Sequence, residues 1–544
     1  MTRSQPLYVI FQWHMHQPFY KDQSTGEYLL PWSRLHTTKD YTDMAWHLER
    51  HPEVKGVVNF VPSLLKQIEE YNDFDTVSEK HLNLTQKPAD ALTAEEQFFL
   101  LQEFFMTNEK RIINRSERYT ELLEMRGDDT TAVTLNTVRN KFKARDFRDL
   151  QVWFLLGWTG EQLRSLPEVQ SLVEKDENFT EADKKKLLEI HETALRNVLE
   201  QYDALQKSGQ IEITGTPYAH PILPLLIDSD VARISMPGVH LPQKRFRHPE
   251  EARKQIHLGK QVLKEIAGWE IAGMWPSEGS VSEATAELLA EQGIQWISTD
   301  SNVLARSLSR NTDPAPLKSE DMYQPYRFST EQGDMTIFFR DQGLSDLIGF
   351  DYADKSADAA VTDFMGHLHR IDESLPDDGY PYVAVITMDG ENAWEHFEEN
   401  GKPFFDALYT SLAESERIQT TTFREQMERA EVQRELQWLH PGSWIGADYH
   451  IWIGHPEKNA AWDALNDALN LVEQKRQAGK DIPEKVEQAI LQAEGSDWFW
   501  WYGHHNNSDH DEVFDLLFCN ALRIVYEELD ASLPPYLKRN ITEP

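Results

Sequence analysis

Residues 385–397 read VITMDGENAWEHF: an apolar run empties into Asp389, Gly390 and Glu391, and a helical pattern follows at once. A near-continuous apolar run suits a strand covered on both faces. In parallel α/β sheets the side chains that do chemistry sit where such strands end and the chain turns toward the next helix. Gly390 is expected to permit the tight turn, and Asn392 with Glu395 three residues on to cap the helix. The design recurs at residues 271–282, IAGMWPSEGSVS, where a short apolar strand leads through Glu278 to Ser280, which forms a capping box with Glu283. Two carboxylates are thus presented in the same way.

Seven short runs rich in Val, Ile and aromatics lie at 7–13, 57–61, 211–214, 271–274, 295–298, 336–339 and 382–387, each leading toward a helical pattern. This is a β/α series, and a closed or nearly closed parallel barrel fits it best. A doubly wound dinucleotide-binding sheet lacks its G-x-G-x-x-G after the first run. The helical section at about 63–208 is too long for one crossover and reads as an inserted helical subdomain covering one side of a barrel spanning 1–405. In 406–544 one strand-like run, 418–423, precedes helical stretches at 456–475, 483–494 and 511–529, expected to form a mainly helical C-terminal domain packed on the barrel.

The chain has 544 residues and a formal charge of −37, which would repel nucleic acid and anionic lipid and points to a neutral substrate. No apolar run reaches the roughly 20 residues that span a bilayer, and the N-terminal residues lack a signal-peptide core, so no membrane partner and a cytoplasmic location are expected. Cys519 is the only cysteine, which excludes an intrachain disulfide.

Glu278, set just before a helix N-terminus, is expected to be held ionised by the macrodipole. Glu391, two residues from Asp389 on an extended segment, would push one proton onto that pair. Carboxyl groups driven apart in this way supply the nucleophile and proton donor of glycoside hydrolysis; otherwise they merely cap helices. Trp13, Trp275 and Trp394 sit near strand ends, as do His14, His16 and Gln17 in FQWHMHQPFY and Tyr218 and His220 in GTPYAHP. Rings to stack on the C–H faces of a sugar, beside neutral hydrogen-bonding groups, fit a polyhydroxylated ligand.

The segments HMHQPFY, ITGTPYAHPILPLL, GMWPSEGS and ITMDGENAWEHF, in this order, resemble the first four signature regions of glycoside hydrolase family 57, whose members act on α-glucans. The resemblance spans roughly residues 8–400, and FFRDQGLSDLIGFDY and AEGSDWFWWYG also look like segments of that family. It implies an incomplete seven-stranded (β/α) barrel, a retaining mechanism, an α-glucan oligo- or polysaccharide as partner, and no metal or organic cofactor. Glu278 would be the nucleophile and Asp389 the general acid/base. His14, His16, His220, Trp275 and Glu391 would shape the sugar subsite, beside Gln17 and Trp394, which stand as substrate-binding candidates by their places near strand ends. Arg340 and Asp346 are further candidates, or simply partners of each other. Trp498, Trp500 and Trp501 would ordinarily be core, but the polar company of Asp497, Tyr502, His504 and His505 favours a segment that reaches the cleft. Within the family, α-amylase, amylopullulanase, 4-α-glucanotransferase, branching enzyme and α-galactosidase share the catalytic pair. GENAWEHF and GSDWFWWYG resemble the amylase and amylopullulanase members more, so hydrolysis with sugar transfer as a side reaction is expected. Two rivals are a metal-dependent polysaccharide deacetylase, using His14, His16, His47 or His51 without an H-E-x-x-H motif, and a non-catalytic glucan-binding protein, which would not require both acids.

Overall fold

The computed structural model describes residues 3–127, 133, 141–310, 314, 316–391 and 393–542. Its strands are β1 (Leu7–Met15), β2 (Gly56–Phe60), β3 (Ile211–Gly215), β4 (Gly273–Met274), β5 (Trp296–Asp300), β6 (Tyr326–Thr330), β7 (Gly333–Arg340), β8 (Val383–Asp389), β9 (Ile418–Thr420) and β10 (Arg434–Glu435). Strands β1, β2, β3, β4, β5, β7 and β8 pair in parallel in that order, and β8 returns to β1, so the ring closes. The expected gap survives only as a narrow seam: β7 meets β8 through the single register pair Arg340↔Val385. The seven apolar runs of the sequence are the seven barrel strands. Outside the ring, β6 pairs antiparallel with β7, β10 pairs with β6, and β9 lies along the start of β1.

Strand alternation decides what enters the barrel. In β1 and β8 the register sets Tyr8 beside Val383, Ile10 beside Val385, Gln12 beside Thr387 and His14 beside Asp389. The first two levels join Val57, Trp296, Phe338 and Phe423 in a separate apolar cluster that fills the ring near the strands' N-terminal ends. Polar groups take over above it, with Thr387 Oγ1 donating to Gln12 Oε1 at 3.3 Å. Residues of the other parity, Val9, Phe11, Trp13 and Met15, face outward into the core beneath the helices.

Gly273 in β4 stands opposite Trp296 of β5, whose indole fills the ring at that level. A Cβ on residue 273 would lie 1.7 Å from Trp296 Cε2, so Gly273→Ala is expected to destabilise the fold by about 3 kcal/mol. Urea denaturation checks this; an unchanged midpoint would mean that the indole swings aside without cost.

Between β2 and β3 a series of helices runs from Pro62–Glu70 to the 27-residue Glu181–Lys207, which opens on a Thr180/Asp183 capping box. The C-terminal helices are Pro456–Gln477, Glu484–Ala493, Ser496–Trp501 and Asp511–Glu528. Among the described residues no helix is long and apolar enough to cross a membrane.

Candidate active site

The C-terminal ends of the barrel strands open into a cavity of about 780 Å³, lined by Glu278 and Asp389 together with His14, His16, Gln17 and Glu391. The helical section contributes Trp158 and residues 106–108 to its wall, and the C-terminal helices contribute Asp497, Trp500 and Trp501.

The two acids are not held as the sequence implies. Glu278 lies in the short 3₁₀ turn Ser277–Gly279 with φ +59°, a left-handed conformation that a side chain adopts only under constraint. The helix Glu283–Glu291 is capped by Ser282, which accepts from the Thr285 amide, and not by Ser280, which is buried. Beyond Asp389 the chain makes two 3₁₀ turns, Trp394–His396 and Glu398–Gly401, before the helix Lys402–Glu414 begins; the Asn392 cap lies outside the described residues. Gly390 is required by close packing, since a Cβ there would sit 2.1 Å from Met15 Sδ and 3.4 Å from the His14 carbonyl oxygen.

Burial, and then the charge of Asp389, raise the Glu278 pKa to about 8, against the expectation that a helix N-terminus would keep it an ordinary anion. Glu391 is raised well above the usual carboxylate range by burial first and Asp389 second. Glu391 Oε1 accepts from Gln17 Nε2 at 3.0 Å, and Gln17 Oε1 accepts from the Tyr20 hydroxyl at 2.8 Å. Its Oε2 is buried without a hydrogen-bond partner in the protein, and Glu391 lines the cavity, so this oxygen is left for a ligand.

His14, His16 and His220 form one stack, with ring centroids 5.6 Å apart for His14 and His16, 5.1 Å for His14 and His220, and 3.9 Å for His16 and His220. His14 Nδ1 donates to Asn59 Oδ1 at 2.6 Å, which leaves its Nε2 as an acceptor. His220, at φ +58°, shares a 2.9 Å hydrogen bond between Nδ1 and Ser496 Oγ. Burial, then the neighbouring His16, lowers His14 to about 3; burial and both neighbours push His220 well below its ordinary range. His16 also suffers from burial, but Asp497, Glu278 and Asp389 outweigh it and raise its pKa. His16 Nε2 donates to Asp497 Oδ1 at 2.7 Å. Within one stack, therefore, His16 is pushed toward its charged form while His14 and His220 are pushed toward their neutral forms.

His16, His220 and Asp497 bring a ligand atom each within 4.8 Å of one another, a metal-like spacing. The His16 and His220 planes are only 22° apart, however, so their in-plane lone pairs run side by side instead of converging on one point. That arrangement suits the hydroxyls of a sugar better than an ion. Of the other histidines weighed as ligands, His47 stacks on Phe405 in the core and His51 lies 3.5 Å from Asp406.

The remaining candidates divide between cleft and core. Trp275 is buried behind His14 (6.4 Å between centroids). Arg340 pairs with Asp300 at 2.8 Å, not with Asp346. Asp346 is half-buried, and burial raises its pKa. Trp394 is 1% exposed, edge-on to outward-facing Trp13 at 5.8 Å, and its Nε1 donates to the Gly390 carbonyl. Trp498 is 3% exposed and donates to the Gln492 carbonyl, whereas Trp500 lines the cavity.

Several cavity residues were not anticipated. Beside the cavity, Asn59, the last residue but one of β2, is buried against His14 with the inward parity of Val57, a signal present in the sequence. Trp32 and Trp158 stand 5.4 Å apart in the wall, but they belong to segments without strand pattern. Trp444, in an irregular stretch, donates from Nε1 to Glu278 Oε2 at 2.8 Å.

Three solved structures share this architecture. The GH57-type branching enzyme from the hyperthermophilic archaeon Pyrococcus horikoshii is similar with TM-score 0.61 and 15% identity, over 98% of this chain and 96% of that one. The α-amylase AmyC from Thermotoga maritima gives TM-score 0.58 and 13% identity, over 98% of each chain. The 4-α-glucanotransferase from Thermococcus litoralis gives TM-score 0.53 and 16% identity, over 96% of this chain and 59% of that one. No curated protein sequence matches the chain. Residues 10–439 match glycosyl hydrolase family 57, and the chain belongs to that family.

Proposed function

We propose that this protein is a retaining glycoside hydrolase acting on α-glucans, with Glu278 as nucleophile and Asp389 as general acid/base. The observation that carries this reading is that two carboxyl side chains from β8 and the turn after β4 line one cavity, and the charge of one helps to raise the pKa of the other. Such a pair resists losing both protons, and a single shared proton is what the chemistry needs.

In the first step a Glu278 carboxylate oxygen bonds to the anomeric carbon while Asp389 gives its proton to the glycosidic oxygen. The C–O bond breaks with its electron pair on the departing sugar. In the second, Asp389 takes a proton from water as the water oxygen attacks the anomeric carbon and Glu278 leaves as carboxylate. His14, His16, His220 and Glu391 supply acceptors and donors for the hydroxyls of the reacting sugar. Trp32, Trp158 and Trp500 offer stacking surface to the rest of the chain.

Within this class we propose an amylase or amylopullulanase-type specificity, α-1,4 bonds with or without α-1,6, in a cytoplasmic protein. Residues 1–405 would form the catalytic unit, with its helical insertion at about 63–208, and 406–544 the C-terminal unit. The test is maltotriose alone at low and high concentration, followed by chromatography. Glucose and maltose with a net gain in reducing ends are expected, and longer chains only at high concentration. A ladder at every concentration with no gain in reducing ends makes this a 4-α-glucanotransferase. No change in maltoheptaose, pullulan or soluble starch overturns the reading altogether.

A further inference from the structure

We infer that Trp444 is the positioning residue of the nucleophile: its indole N–H holds Oε2 of Glu278 and thereby assigns Oε1 as the oxygen that attacks the anomeric carbon. The inference rests on the reading of Glu278 as nucleophile, and residue 444 lies beyond the stretch that matches the family.

The contact has two points. Trp444 Nε1 donates to Glu278 Oε2 at 2.8 Å, and the Trp444 amide donates to the Glu278 carbonyl at 2.9 Å. Three residues after Glu278 and two before Trp444, Val281 and Gly442 exchange backbone hydrogen bonds of 2.8 and 3.1 Å as an isolated antiparallel bridge. The segment carrying Trp444 is thus tied to the backbone of the turn that carries Glu278, and this tie helps to hold residue 278 at φ +59°. Gly279 belongs to the same device: its φ is +58°, and a Cβ there would lie 2.8 Å from the Trp275 ring and 3.4 Å from Trp444 Cβ.

The indole is fixed on its other sides. Trp275 meets it edge-on at 5.3 Å, and the Arg340 guanidinium lies 4.6 Å over its ring. Arg340 is itself anchored by Asp300 at 2.8 Å and by the Thr387 carbonyl at 3.1 Å. This gives Arg340 a role other than pairing with Asp346: it braces the residue that braces the nucleophile.

The chemistry follows from which form of Glu278 each group prefers. Around its carboxyl stand Asp389 and Asp497, which oppose its charge, and His16, which favours it; His220 Nδ1 is 3.8 Å from Oε1. Among the described residues, Trp444 supplies the hydrogen bond the carboxylate accepts, and it favours the ionised form against burial. Once Oε1 has bonded to the sugar, Oε2 is an ester carbonyl, and a hydrogen bond to it is weaker than one to a carboxylate. Trp444 therefore stabilises the states in which Glu278 is, or is becoming, an anion: the resting nucleophile and the departing group of the second step.

Trp444→Phe keeps a ring against Trp275 and Arg340 and deletes the donor. On an aryl α-maltooligoside with a good leaving group, kcat should fall about 10²-fold with KM falling alongside, because the glycosyl-enzyme accumulates. The acid limb of kcat/KM should move up by about one pH unit, since losing the donor favours protonated Glu278. In protein labelled with 5-fluorotryptophan, the ¹⁹F resonance lost in Trp444→Phe should shift with pH in the wild type and stay flat in Glu278→Gln. A fall in activity with an unmoved pH profile and a flat resonance means a structural role only and overturns the inference. Should the wild type turn over no glucan, the proposed function fails, and the ¹⁹F titration alone still decides whether Trp444 reads the proton on Glu278.

Discussion

Glu278→Gln is expected to lose turnover on α-glucans by about 10⁴-fold or more, to keep binding them, and to be more stable than the wild type above neutral pH. The amide cannot form the glycosyl ester, whereas the histidine stack, Glu391 and the tryptophans that would hold the sugar are untouched. Stability changes because the buried Glu278 has a pKa of about 8, raised from the ordinary 4.5. The folded state therefore holds a proton that the unfolded chain releases, so the wild type loses stability as pH climbs from about 4.5 through 8. Gln carries no such penalty and keeps an oxygen for Trp444 Nε1. At about 1.4 kcal/mol per pKa unit the gain is on the order of a few kcal/mol above pH 8, and it vanishes near pH 4. Thermal melts across that range, with calorimetry using maltooligosaccharide, make the test. Wild-type turnover would remove Glu278 from the covalent step, and equal melting at high pH would contradict its desolvated setting.

Much of this site was legible because a barrel strand shows its inner face every second residue. From Asp389, stepping back by two gives Thr387, Val385 and Val383, all inward; His14, Gln12 and Ile10 do the same in β1. The same count assigns Trp13 to the outer face, where it packs on Trp394 and Phe405, so nearness to a strand end was the wrong criterion for a sugar platform. Local motif reading also misjudged the two acids. A capping pattern is a statement about backbone amides, and it misses the desolvation that raises Glu278, which depends on residues as remote in sequence as Trp444 and Asp497. The cavity wall was the least legible part: Trp32, Trp158 and Trp444 come from segments that share no period, and only the folded chain brings them to one mouth.

Asp389→Asn is expected to separate the two halves of the reaction by how much each needs a proton moved. A natural glucan departs as a poor leaving group, so losing the general acid should cost about 10³-fold on starch or maltoheptaose. An aryl glycoside whose leaving group is already stable as an anion needs little protonation, and its first step should be nearly spared. The second step still requires a base to take the proton of water, so the variant should release one equivalent of phenol in a burst and then stall as the glycosyl-enzyme. Azide is a nucleophile that needs no base. It should restore turnover and give the glycosyl azide of retained configuration, because it attacks the face that Glu278 occupied the opposite side of. The substitution also removes the charge that helps to raise Glu278, so the pKa of the nucleophile should fall toward the ordinary range and the acid limb should move down. Equal losses on aryl and natural glycosides, with no burst and no response to azide, would make Asp389 a group that positions the substrate, and the proton donor would have to be sought elsewhere in the cavity, with Glu391, whose pKa burial and Asp389 push well up, first in line.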